Sequence, residues 1–208
     1  MYLATEGVIL SRRNFGEADR LITLYTKDHG KITAIAKGVR RPRSKKAGHL
    51  ELGSWCKIFV ARGKNLDLLT EVESKRPFGI AEFGEKKANK IYHLLEIVDV
   101  LTPANQKNLK VFSLLVSFLK KASRDEDFNL VSSAFKTKLL SSLGFFSSHN
   151  LKDSQAKNIF AILENDDFQI AQEKINLTDS SYLKLLAFLD SMIESVAGQK
   201  LKTARFLN

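Results

Sequence analysis

Between Lys37 and Lys46 the chain reads Lys-Gly-Val-Arg-Arg-Pro-Arg-Ser-Lys-Lys, which puts six cations, Lys37, Arg40, Arg41, Arg43, Lys45 and Lys46, within ten residues. No acid occurs from His29 to Leu50. Charge runs are more often solvated faces than sites. This one is dense and unbalanced, and a polyanion that bound it would relieve the repulsion and release its own counterions. The run holds no aromatic residue, and none lies between Tyr25 and Trp55. Base stacking needs rings, so contacts here are expected to go to phosphates rather than bases. If all six cations met phosphates of one strand, the log–log salt slope of binding would be roughly −4. Arg12, Arg13 and Arg20, with Lys31, Arg62 and Lys64, are candidates to widen the same patch.

Catalytic chemistry finds less support. The four histidines, His29, His49, His93 and His149, are too far apart in sequence for a chelating pair. The single cysteine, Cys56, sits among Trp55, Ile58 and Val60 and reads as a buried strand residue rather than a nucleophile. Glu17 with Asp19, or Asp67 with Glu71 and Glu73, could be a nuclease-type acidic group. Salt bridges to the surplus cations are the simpler account. No GxxxxGK[ST] loop is present. Neither catalytic residues nor a cofactor are expected.

The elements that must position the basic run follow from periodicity. Leu3–Leu10 has strand character, and Asn14-Phe15-Gly16 reads as a turn. Leu21–Thr26 and Lys31–Ala36 read as a hairpin across Asp28-His29-Gly30. Trp55–Ala61 and Leu66–Val72 form another strand pair around Arg62–Asn65. Gly38, Pro42 and Gly48 keep the basic run out of a strand, so it reads as a loop projecting from a small barrel, for which an OB-fold is the candidate. After residue 81 the apolar spacing changes to three and four. Ala88–Leu101, Asn108–Ala122, Asp127–Leu143, Gln155–Glu164 and Ser180–Val196 read as helices. The expected fold is α+β, an N-terminal OB-fold barrel in 1–80 followed by an all-α domain in 81–208.

Composition agrees with that division. The 208 residues include 33 Lys+Arg and 23 Asp+Glu, a net charge of +10. Residues 1–80 hold 16 of those bases and 8 of the acids, a net charge of +8. Eleven of the 14 phenylalanines lie at position 83 or later. The N-terminus has no signal-peptide pattern, and no apolar run approaches the roughly 20 residues that span a bilayer. A soluble cytoplasmic protein with no membrane partner is expected. In the helical half, Val111, Phe112, Leu114, Leu115, Phe118 and Leu119 read as a helix buried between neighbours. Lys120, Lys121, Lys136, Lys138, Lys184, Lys200, Lys202 and Arg205 are candidates to flank a groove for an acidic peptide.

Glu6–Leu10, Phe15–Thr26, His29-Gly30-Lys31 and Ala36–Arg41 with Ser44 together resemble the N-terminal region of the bacterial recombination and repair RecO family. Leu68–Glu73 and Leu139–Phe145 extend the likeness, and Leu201–Arg205 resembles the family's closing segment more weakly. The resemblance implies an OB-fold followed by a helical domain and a non-enzymatic mediator of recombination. It implies binding of single- and double-stranded DNA and annealing of complementary strands. It also implies work with RecR to help RecA displace the single-strand-binding protein SSB, the acidic SSB tail docking on the helical domain. Nucleoid association in the cytoplasm would follow. Many members carry a four-cysteine zinc element after the segment matching Leu139–Phe146. Here that place reads Ser147–Asp153 without cysteine, so zinc is not expected. The rival readings are an OB-fold RNA-binding or ribosome-associated factor, a nuclease and a pure adaptor.

Overall fold

The computed structural model describes residues 2–76, 85–122 and 127–206, with backbone alone at 85, 86, 205 and 206. Five strands come first: β1 (Tyr2–Phe15), β2 (Asp19–Thr26), β3 (Gly30–Ala36), β4 (Trp55–Ala61) and β5 (Asp67–Arg76). They close into a barrel in the order β1-β2-β3-β5-β4, the strand order of an OB-fold. Six helices follow among the described residues: α1 (Glu85–Leu101), α2 (Leu109–Ala122), α3 (Phe128–Ser142), α4 (Ser154–Asn165), α5 (Phe168–Lys174) and α6 (Asp179–Ala197). The α+β expectation therefore holds.

Alternation builds the barrel. In β3 and β4 every second side chain is buried, and Ile32, Ala34, Ala36, Cys56, Ile58 and Val60 point into one core. β1 is longer than its apolar segment, because Ser11–Phe15 continues to pair with β2 after the hydrophobic pattern ends. Its first half pairs with β4 and its second with β2, and the register shifts between Ile9 and Ser11. This shift lets one strand bend around the barrel and belong to both sides of the closure. The turn that sequence places at Asn14–Gly16 accordingly falls after Phe15. Gly30 is required twice over. It has φ +65°, and a Cβ there would lie 2.0 Å from the Gln106 carbonyl oxygen. That close approach seats the 104–106 segment beside β3, where the Asn105 N–H donates to the Lys31 carbonyl at 2.8 Å.

The chain forms two compact units, one of residues 1–116 with 202–208 and the other of 117–201. This differs from the 1–80 and 81–208 division read from composition, whose boundary lies outside the described residues. The physical reason is that α1 is tied to the barrel. Asp99 accepts from Ser11 Oγ at 3.3 Å and pairs with Lys31 Nζ at 3.2 Å. The chain end also returns to α1. Glu96 accepts the Lys202 and Thr203 N–H groups, each at 2.9 Å, together with the Thr203 hydroxyl.

The second unit is organised around α3, which is buried along most of its length. Two of its hydroxyls are satisfied within the helix, Ser133 donating to Asn129 O at 2.8 Å and Thr137 to Ser133 O at 2.9 Å. Asp127 caps its N-terminus by accepting from Asn129 and Leu130. The seven-residue α5 was not legible in the sequence, being a short helix that buries only Phe168 and Ala171. Beside the stretch Ser147–Asp153, Glu164 ties three elements together. It accepts from Ser141 Oγ at 2.6 Å and from the Ser148 N–H at 2.9 Å, joining α4 to the end of α3 and the connector between them. Burial raises the Glu164 pKa, but the donors from Ser141 and Ser148 outweigh it and hold the carboxyl below its ordinary value. The stretch Ser147–Asp153 has no thiol, and Cys56 lies in the barrel core, so these residues do not fit a four-cysteine zinc site.

Two stability outcomes follow. Gly30→Ala should lower unfolding stability in urea by about 2 kcal/mol or more, because both positive φ and a backbone clash oppose it. Glu164, with its folded pKa depressed, contributes stability that is present above the ordinary glutamate range and lost as pH falls through the lower folded value. Glu164→Gln should therefore cost about 1 kcal/mol near pH 7. It should also flatten the acid limb of the stability–pH curve, which thermal melts from pH 3 to 7 would show.

Candidate nucleic-acid interface

The basic run leaves the end of β3 and is anchored at several points. The Gly38 N–H donates to Asp19 Oδ1 at 2.7 Å, and the Arg40 N–H donates to Ala18 O at 2.9 Å. Gly38 has φ +66°, the left-handed conformation that lets the chain turn there. Val39 then plugs the barrel core and is 1% exposed. Successive turns follow, with Ser44 N–H donating to Arg41 O and Ala47 N–H to Ser44 O, before a 3₁₀ turn at Ala47–His49. Leu50, fully buried, closes the excursion on the same core. Two apolar plugs thus bracket a loop whose cations face outward.

Lys37, Arg40, Arg41, Arg43 and Lys45 are exposed. Among the described residues no carboxylate pairs with any of them. Arg40 does donate to Gly16 O at 3.3 Å, which holds its guanidinium over the β1–β2 turn. Lys46 is half-buried and donates to Leu69 O at 3.1 Å, so it acts more as a staple of the loop than as a free cation. The flanking candidates also divide. Arg13 is exposed and Arg20 half-exposed on β1 and β2. Arg12 pairs with Glu51 at 2.5 Å and donates to Leu50 O at 3.3 Å, bracing the far end of the loop. Lys31 is held by Asp99 and Arg62 by Asp67, the latter at 2.7 Å.

Sequence reasoning missed a ring. Phe15, at the end of β1, is 42% exposed. The Arg40 contacts to Gly16 and Ala18 bring its turn against the loop. The signal was present, since Phe15 precedes Gly16, but a ring outside the basic run was not connected to it. Of the acids weighed as a nuclease centre, one in each group is otherwise engaged. Asp19 accepts from Gly38, and Asp67 binds Arg62 and the Gly63 N–H. Among the described residues no three His, Cys, Asp or Glu side chains gather in a metal-binding group. Burial pushes the Cys56 thiol up to about 12, and it donates to His49 O at 3.3 Å inside the core.

In the second unit the candidate lysines separate. Lys136 corrects the sequence reading. Its side chain is 3% exposed and pairs with Asp190 at 2.6 Å, so it cannot meet an incoming peptide. Its spacing gave no warning, because α3 is buried nearly all round. Burial lowers its pKa, and the facing Asp190 carboxylate opposes that shift. Lys138 is half-buried and donates to Glu164 O at 3.0 Å. Lys120 is exposed and Lys121 half-exposed in the last turn of α2. The Arg205 side chain lies outside the described residues. An apolar feature appears instead. Phe160 lies between Phe146 and Phe188, with ring centroids 5.0 and 5.8 Å away. Phe145 and Phe188 are 48% and 45% exposed. Lys157 and Lys184 are exposed one turn from Phe160 and Phe188 on α4 and α6. Among the described residues no helix is long and apolar enough to cross a membrane.

Comparison with known proteins places this architecture. Residues 1–78 match the family model described as recombination protein O N terminal, and residues 91–148 match recombination protein O C terminal. Relatives called DNA repair protein RecO include one from Moorella thermoacetica, 36% identical over 140 residues, covering 67% of this chain and 52% of that protein. One from Symbiobacterium thermophilum is 34% identical over 143 residues, covering 67% of this chain and 56% of that protein. One from Pelotomaculum thermopropionicum is 29% identical over 140 residues, covering 67% and 54%. The chain thus spans about half the length of the curated relatives it matches. With the basic loop on a five-stranded OB-type barrel, the helical second half and both family models in register along the sequence, the chain belongs to the recombination protein O (RecO) family.

Proposed function

We propose that this chain is a mediator of DNA repair and recombination that works by binding rather than by turnover. It binds single- and double-stranded DNA through the loop Lys37–Lys46 and anneals complementary strands. With RecR it helps RecA replace SSB on single strands. The observation that carries this reading is the set of exposed loop cations with which no carboxylate among the described residues pairs, displayed by a barrel that buries Val39 and Leu50 to hold them. Family membership supports the assignment to repair.

The mechanism is electrostatic. Two strands repel each other along their phosphates, and this repulsion opposes pairing. Cations that engage phosphates lower the repulsion and leave base edges exposed. A stacking platform would hold the bases and compete with the complementary strand. The cations around the loop therefore suit annealing better than a ring-lined groove would. For the SSB tail, an acidic peptide, the second unit offers Phe145, Phe146, Phe160 and Phe188 as an apolar seat. Lys157 and Lys184 stand beside it as countercharges, with Lys120 and Lys121 the remaining candidates from the sequence reading.

Reversing Arg40, Arg41 and Arg43 to Glu should abolish annealing and shift the single-strand salt slope toward zero by roughly 2. Because these side chains are exposed, the melting temperature should stay close to wild type. Unchanged, equally salt-dependent affinity would refute the loop assignment. The mediator role is tested by annealing SSB-coated complementary strands. Annealing is expected with intact SSB and should fall when SSB lacks its tail. Phe188→Asp should reproduce that fall while sparing bare strands. Activity on bare strands alone would argue against mediation, and stronger binding of matched RNA would favour the RNA-binding alternative.

A further inference from the structure

The outer face of β1, β2 and β3 leads away from the basic loop. On β1 the side chains Phe15, Arg13 and Ser11 share that face, being two residues apart. The register sets Arg13 beside Leu21 and Ser11 beside Thr23, which is flanked on its other side by Thr33. The path ends in a cleft of about 520 Å³ between this face and α1, with Lys202 and Thr203 of the returning chain end on its wall. The volume lies within the range of small-ligand sites.

The groups around the cleft are not equivalent. Asp99 and Glu96 face it but are already engaged, Asp99 by Ser11 and Lys31, Glu96 by Lys202 and Thr203. Burial raises the Glu96 pKa, yet the Thr203 hydroxyl and the two backbone donors win and keep it ionised and satisfied. Arg13 and Lys202 are exposed, and among the described residues no hydrogen bond or ion pair engages either side-chain head. Thr23 and Thr33 lie 3.3 Å apart, oxygen to oxygen, and among the described residues each is the other's side-chain partner. Tyr92 supplies a half-buried ring from α1.

We infer that this cleft is a subsite for one unpaired nucleobase of a strand whose backbone lies on the basic loop. The inference rests on the DNA-binding reading above. Tyr92 offers a stacking surface, the Thr23–Thr33 hydroxyls can donate to or accept from a base edge, and Arg13 and Lys202 meet the flanking phosphates. A base inside a duplex cannot enter without leaving its stack. The loop therefore binds either form of DNA, while the cleft favours the single strand. Occupying one base leaves its neighbours free to find a complement.

The test compares a labelled oligothymidine with a duplex of equal length, using the full chain. Thr33→Phe fills the cleft from the sheet, and Lys202→Trp fills it from the opposite wall. Both positions are exposed or at the rim, and a thermal melt confirms folding. Each should weaken single-strand binding about tenfold and leave duplex binding within about twofold, the loss expected for one stacked base. The salt slope should stay unchanged in Thr33→Phe and move toward zero by roughly 0.7 in Lys202→Trp, which also removes one phosphate contact. Unchanged single-strand affinity in both folded variants would overturn the inference, as would equal losses on strand and duplex. Failure of the underlying reading looks different, because wild-type protein would then bind neither oligonucleotide.

Discussion

Like charges crowded onto one loop repel one another, and the barrel must hold them together without neutralising them. That constraint shapes the N-terminal half. Val39 and Leu50 spend apolar burial to pin both ends of the excursion. Asp19, which could have paired with a loop cation, instead accepts a backbone N–H from Gly38. Glu51, the first acid after the loop, is taken up by Arg12. Asp19 and Glu51 thus brace the scaffold, and among the described residues no carboxylate pairs with the outward cations. The repulsion left in the free protein is released on binding, which adds to the gain from displaced counterions.

The barrel was legible in the sequence because its strands obey a period of two, and β3 and β4 end where the alternation ends. β1 was read too short, since pairing with β2 rather than burial sustains Ser11–Phe15. The basic loop was legible from charge alone. Phe15 was not attached to it, because the contact depends on Arg40 reaching Gly16 and Ala18 across the barrel mouth. The pairing of Arg12 was not legible for a related reason: a strand arginine looks free until a carboxylate thirty-nine residues away, Glu51, is folded against it. Composition placed a boundary at residue 80, whereas packing groups α1 and the chain end with the barrel. Hydrophobic content follows sequence segments, while compact units follow contacts such as those of Asp99 and Glu96.

In the second unit the least legible residue was Lys136. A lysine in an amphipathic helix ordinarily marks the solvent face. On α3 the helix is enclosed, and the ammonium is instead matched by Asp190. Such a buried pair is weak evidence for stability, but removing one partner would strand the other. Around the stretch Ser147–Asp153 the fold relies on hydrogen bonding, with the Glu164 carboxylate linking two helices and their connector.

The central claim is that phosphates, not bases, supply most of the attraction to the loop. The most direct measurement compares binding of one single-stranded sequence with its neutral methylphosphonate analogue at low salt. The account predicts that removing the backbone charge weakens binding by roughly two orders of magnitude or more and abolishes its salt dependence. Comparable affinity for the charged and neutral strands would contradict it.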